Sequence, residues 1–165
     1  MHITQGEHAV SADRDAVITT LLGSCVACCL WDPEARIGGM NHMLLSARGS
    51  ADATCNLAGV NAMELLINDL IKLGARRDNL HGKAFGGARM IKGLSDIGAA
   101  NASFALDFLE REGIACEGHS LGGEKARMLK FWPSSGRVLQ KIANGAQITS
   151  EQPIERVGGN APELF

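Results

Sequence analysis

Apolar and polar positions alternate in short runs along most of the chain and recur at helical spacing in only two places. From Leu57 to Leu73, Val60, Met63, Leu66, Ile67, Leu70 and Ile71 return every three or four positions, which predicts an amphipathic helix stopped by Gly74. A second helix is predicted from Ile97 to about Glu112, with Asp96 as its N-cap, Phe104 and Phe108 one turn apart, and Gly113 after its end. The remaining apolar runs are short and read as strands: Glu7–Val10, Ala16–Leu22, Val26–Trp31, Ile37–Leu45, a stretch of "HGKAFGGARM" running into a glycine turn, and Ile114–Glu117. Met128–Trp132 and Arg137–Ile142 flank "PSSG" as a hairpin, and "DPEAR" turns the Val26 strand back into the Ile37 strand. Ser46–Asn56 is small and polar and reads as a mobile loop. The last twenty residues carry Pro and Gly without a period and read as a loose tail. The pattern predicts α+β: a single compact domain over residues 1–145, mostly antiparallel sheets with about two long helices packed on them, and a loosely structured C-terminal tail over 146–165.

Composition narrows the function. With 165 residues, 45% of them apolar and 21% charged, the chain can build one real core. A net charge of −2 gives no basic excess for nucleic acid, and the lack of Tyr with 4% aromatics argues against a base-stacking surface. No apolar run is long enough to span a bilayer, so no membrane insertion is expected. "MHITQGEHAVSADRD" has neither a basic n-region nor an apolar h-region, so it does not read as a secretory signal. Five cysteines, an odd number, fit a reducing cytoplasm better than a disulfide framework.

Three of those cysteines fall within five residues, in "GSCVACC". A zinc site needs a second pair at Cys-x2-4-Cys spacing, and Cys55 and Cys116 stand alone. A redox Cys-x-x-Cys works at a helix N-terminus, but this segment reads as a strand, where Cys25 and Cys28 face opposite sides. That leaves Cys28 and Cys29 as packed core thiols and Cys25 as the distinct one. It follows the Gly23-Ser24 turn, where a thiol can stand accessible and main-chain N–H groups around Ser24–Val26 can receive an oxyanion. His42 lies on the returning strand of the predicted hairpin, within plausible reach of Cys25. From spacing alone, a satisfied core histidine is the commoner reading of such a residue.

"GHSLG" at Gly118–Gly122 matches the serine nucleophile elbow, but no histidine follows Ser120 and no aspartate lies beyond Asp107. Ser120 is read as a loop residue. "FGGA" at Phe85–Ala88 lacks the Lys-Ser/Thr ending of a phosphate loop, and its glycines are read as permitting a tight turn or close backbone approach.

Taken together, "TTLLGSCVACCLWDPEARIGGMNHMLL", "KAFGGARM", "IGAANASFALDFLEREGI" and "SLGGEKARMLKFWPSSGRVLQK" resemble the chemoreceptor glutamine deamidase family, CheD, in order and spacing over about Glu7 to Ile142. The resemblance implies a layered α+β sandwich and a cytoplasmic amidohydrolase of bacterial chemotaxis. Such an enzyme converts glutamine side chains on the cytoplasmic helices of methyl-accepting chemotaxis proteins to glutamate. With the Gly23, Ser24 and Val26 turn as the expected oxyanion region and no cofactor or metal expected, the resemblance implies a Cys-His-Thr arrangement of Cys25, His42 and Thr19, with Thr20 facing the other way. It further implies that His42 takes the proton of Cys25 to give a thiolate, and that a CheC-type phosphatase can be a partner. The alternative is a non-catalytic docking module for a chemoreceptor or such a phosphatase, with Cys25 structural.

Overall fold

The computed structural model describes residues 1–45, 53–90, 97–143 and 162–165, with the side chains of 53–56 left aside. Its elements are β1 (His8–Ser11), β2 (Ile18–Leu22), β3 (Val26–Asp32), β4 (Ile37–Asn41), α1 (Ala53–Leu73), β5 (His81–Gly86), α2 (Ile97–Arg111), β6 (Ala115–Leu121), β7 (Arg127–Trp132), β8 (Arg137–Ile142) and β9 (Glu163–Leu164). They form a five-stranded sheet in the order β1-β4-β3-β5-β6 and a four-stranded sheet in the order β2-β7-β8-β9. Every pairing is antiparallel except β5 with β6, which are joined through α2 and run parallel. This is the expected α+β architecture.

The central strand β3, "VACCLWD", is buried at every position. Successive side chains of a strand face opposite ways, and here both faces are covered. Val26, Cys28 and Leu30 join Met63, Leu66, Ile67 and Leu70 of α1 and Ala105, Phe108 and Leu109 of α2 in one core. Cys25, Ala27, Cys29 and Trp31 join Ile18, Leu22, Leu129, Phe131 and Val138 of the second sheet in another. The result is three layers: helices, five-stranded sheet, four-stranded sheet. Fully burying each Leu, Ile or Phe contributes about 1.5–3 kcal/mol, so the α1 stripe alone makes the helix layer adhere. Both helices end as expected, at glycines with positive φ: Gly74 at +112° and Gly113 at +67°.

Four local features differ from expectation. The backbone of α1 starts at Ala53, ahead of the apolar period, so 53–56 are helical where a loop was expected; residues 46–52 of that loop lie outside the described residues, as does Asp96. Ser120 lies in β6, not in a loop: β6 continues beside β5 as far as Leu121. The return strand is regular only to Asn41, because the Asn41 side chain itself accepts the Cys28 N–H at 2.9 Å in place of a main-chain carbonyl. The ladder closes again at Val26 and Met43, in unchanged register. Of the expected tail, 146–161 fall outside the described residues, but β9 pairs with β8 and Phe165 packs edge-on against Phe85.

Candidate active site

The site lies where the chain crosses from one sheet to the other. β2 belongs to the four-stranded sheet and β3 to the five-stranded one, so Gly23–Cys25 bridges the two layers. Three carbonyls of this crossover are bound. Ala88 N–H donates to Gly23 O at 2.9 Å, the Asn101 side-chain amide to Ser24 O at 2.8 Å, and Gly87 N–H to Cys25 O at 2.8 Å. Gly86, at φ +111°, lies so close that a Cβ there would collide with the Cys25 carbonyl oxygen. Close backbone approach is therefore what the "FGGA" glycines permit. Asn101, fully buried on α2, also accepts the Leu45 N–H at 3.2 Å and so ties the crossover to the segment after His42.

Cys25 is 8% exposed and lies on the inter-sheet face of its strand, while Cys28 is fully buried on the helix side. The two cannot pair across the strand, and both are free thiols, as are Cys29 and Cys116. The Val26–Met43 register puts His42 opposite Ala27, on the same face as Cys25 and diagonal to it. His42 is 7% exposed, and its main chain is held on the other side, N–H to Glu7 O at 2.9 Å and carbonyl from Gly6 N–H at 2.9 Å.

Thr20, not Thr19, meets His42. In β2, Ile18, Thr20 and Leu22 face inward, and Thr20 Oγ1 lies 2.8 Å from His42 Nδ1. Thr19 faces outward to the Nδ1 atom of His2 at 3.0 Å. The parity was readable, since Thr20 shares the face of two buried aliphatic neighbours. The Thr20 hydroxyl also lies 2.8 Å from Ile3 O. A carbonyl can only accept, so the single hydroxyl proton goes to Ile3 O and the oxygen accepts from His42. Nδ1 therefore carries the proton, and Nε2 is left with its lone pair, the tautomer a general base requires.

The expected oxyanion region is only partly open. Val26 N–H is committed to Met43 O at 3.0 Å, as the strand resumes there. Among the described residues, the N–H groups of Ser24 and Cys25 donate to no backbone carbonyl outside the regular strands. Burial raises the Cys25 thiol pKa, opposed by its own backbone N–H. Burial also lowers the His42 pKa, assisted by His2 and opposed by Glu7. Both shifts favour the neutral thiol and neutral imidazole over the thiolate–imidazolium pair. This departs from the expected thiolate, and the cause is desolvation. A groove of about 200 Å³ opens beside His42, between Glu7, Leu44 and the α1 residues Asn61 and Leu65; Cys25 does not line it. Among the described residues no cluster of three His, Cys, Asp or Glu side chains is placed to hold a metal ion. No helix among them is long and apolar enough to cross a membrane.

A thiol on the same sheet face as a base-tautomer imidazole, next to a turn whose Ser24 and Cys25 N–H groups meet no backbone acceptor outside the strands among the described residues, is an arrangement that can perform nucleophilic acyl chemistry. The comparisons give the family. The model described as CheD chemotactic sensory transduction matches residues 43–142, more than half of the chain. Proteins named probable chemoreceptor glutamine deamidase CheD are close relatives. The one from Caulobacter vibrioides is 54% identical over 86% of this chain and 77% of its own length. The one from Acidiphilium cryptum is 53% identical over 93% and 80%. The one from Cereibacter sphaeroides is 48% identical over 99% and 82%, a span that includes the Cys25 and His42 segments. The chain belongs to the CheD family.

Proposed function

We propose that this protein is a chemoreceptor glutamine deamidase in which Cys25 is the nucleophile, His42 the acid and base, and Thr20 the residue that orients His42. The observation that carries the role of His42 is the Ile3–Thr20–His42 hydrogen-bond chain, which leaves Nε2 unprotonated on the face that also bears Cys25. The substrate class comes from the relatives' name. The reaction needs no more than these groups and water. As the sulfur attacks the side-chain carbonyl carbon of a receptor glutamine, His42 takes the thiol proton. The tetrahedral oxyanion is received by the N–H groups of Ser24 and Cys25. His42 then gives its proton to the leaving nitrogen, the C–N bond breaks and ammonia departs. Water, deprotonated by His42, attacks the thioester, and the thiol is released with glutamate as product.

Each turnover replaces a neutral amide by a carboxylate on a receptor helix, which adds repulsion within a helical bundle. The protein acts in the cytoplasm, where the receptor's helices are accessible, and a CheC-type phosphatase is a candidate partner. The test is ammonia release and mass change on a purified receptor cytoplasmic fragment. Wild-type protein should convert amide to acid, and folded Cys25→Ala and His42→Ala variants should not. Full conversion by Cys25→Ala would refute the assignment of the nucleophile.

A further inference from the structure

Among the described residues, the side chain that accepts a hydrogen bond from the Cys25 sulfur is the chain's own glutamine. Cys25 Sγ donates to Gln5 Oε1 at 3.9 Å, a long bond of the kind sulfur makes. Gln5 is exposed, yet its backbone is held. It is the second residue of the turn Thr4–Glu7, closed by Glu7 N–H to Thr4 O at 3.0 Å, with Gly6 at φ +85°. The Glu7 carboxylate accepts the Thr4 N–H at 2.7 Å and the Thr4 hydroxyl at 2.9 Å. Gly6 N–H is bound to the carbonyl of His42 itself. The turn is thus anchored to the site, and among the described residues the exposed Gln5 side chain has no hydrogen-bond partner but the thiol.

A substrate glutamine must bring its carbonyl carbon within about 3–3.5 Å of the attacking sulfur. Among the described residues Cys25 otherwise packs into the inter-sheet core, and the approach is therefore assigned to the side where the Gln5 carboxamide already lies. The sulfur meets the oxygen of that amide, with the carbon beyond it, so Gln5 is not in position for attack. The thiol has one proton; while it is donated to Gln5 it is not donated to His42. We propose that Gln5 is a resting occupant of the substrate-amide position, a placeholder carboxamide that holds the thiol proton away from His42 until the target glutamine displaces it. This rests on Cys25 being the nucleophile.

The test is the rate at which iodoacetamide alkylates Cys25, followed by peptide mass, in wild-type, Gln5→Ala and Gln5→Asn proteins. Asn keeps the turn polar but withdraws the amide by one methylene. Both variants should alkylate about fivefold faster, the worth of one neutral hydrogen bond. The KM for the receptor fragment should fall in step, with kcat unchanged. Alkylation at the wild-type rate, or a fall in kcat, overturns the placeholder. Full deamidation by Cys25→Ala would instead overturn the nucleophile assignment, which the alkylation rate does not measure, and the placeholder would go with it.

Discussion

Replacing Thr20 by Val keeps the shape of the side chain and removes only the hydroxyl. That hydroxyl joins two buried groups, the Ile3 carbonyl at 2.8 Å and His42 Nδ1 at 2.8 Å. A net neutral hydrogen bond contributes about 1 kcal/mol, and a buried partner left unpaired costs about 1–3 kcal/mol. Two consequences separate. Stability falls by about 1–3 kcal/mol, read from denaturant unfolding. Catalysis falls further, because nothing now holds the proton on Nδ1, and each 1.4 kcal/mol of lost tautomer and orientation preference is a factor of about ten. The expected loss in kcat/KM for receptor deamidation is about 10–100-fold, with Thr20→Ser within about threefold of wild type. Thr19→Val, whose hydroxyl meets His2 and the Met1 carbonyl among the described residues, should stay near wild type. A Thr20→Val protein within twofold of wild type, or a Thr19→Val protein equally impaired, would refute the orienting role.

Two further outcomes follow from the charges. Because burial raises the Cys25 pKa and lowers that of His42, the resting protein should show no Cys25 thiolate absorbance at neutral pH. The kcat/KM profile should be flat between an acid limb below the ordinary histidine value of about 6.5 and an alkaline limb above the ordinary thiol value of about 8.5; a Cys25 thiolate titrating below neutrality would contradict the neutral resting pair. Asp32 is the second case. Burial opposes its charge, yet bonds from Ala35 N–H, Arg76 N–H, the Asn79 amide and Glu34 N–H bring its pKa below the usual carboxylate value. A depressed folded-state pKa contributes stability above the unfolded value of about 3.9, lost as pH falls through the folded one. Asp32→Ala should therefore cost about 2–4 kcal/mol at neutral pH, with the gap to wild type narrowing in acid; a pH-independent gap would show that the carboxylate charge is not responsible.

What was legible in the sequence was whatever a local period encodes. The two helices, the hairpin around Asp32 and the separation of Cys25 from Cys28 all follow from side-chain direction along one element. The hairpin put His42 within reach of Cys25, but on spacing alone it read as a core histidine, and the pairing of the two came from the family resemblance; the structure places both on one face. Thr20 was missed although its parity with Ile18 and Leu22 places it inside; counting along the chain selected its neighbour. Val26 was included as an oxyanion donor because the end of a turn cannot be located to one residue without knowing where pairing resumes. Asn101 and Gln5 carried no local signal at all. One reaches the crossover from α2, 77 positions away, and the other from a turn that precedes β1. Their roles exist only once the layers are stacked.

The stacking also explains how a glycine motif remote from the thiol in sequence shapes its chemistry. A peptide unit is planar, so fixing a carbonyl fixes the direction of the N–H that follows it. Gly23 O and Ser24 O are bound from the β5 end and from α2 by Ala88 N–H and Asn101. The N–H groups of Ser24 and Cys25, which share those two peptide planes, are thereby held in the opposite direction. Preorganised donors of this kind stabilise charge without reorganising at the moment of reaction. In the proposed mechanism the "FGGA" turn and Asn101 would thus orient the oxyanion donors from outside the reacting groups, and Gly86 is glycine because only a residue without a Cβ lets that clamp close on Cys25.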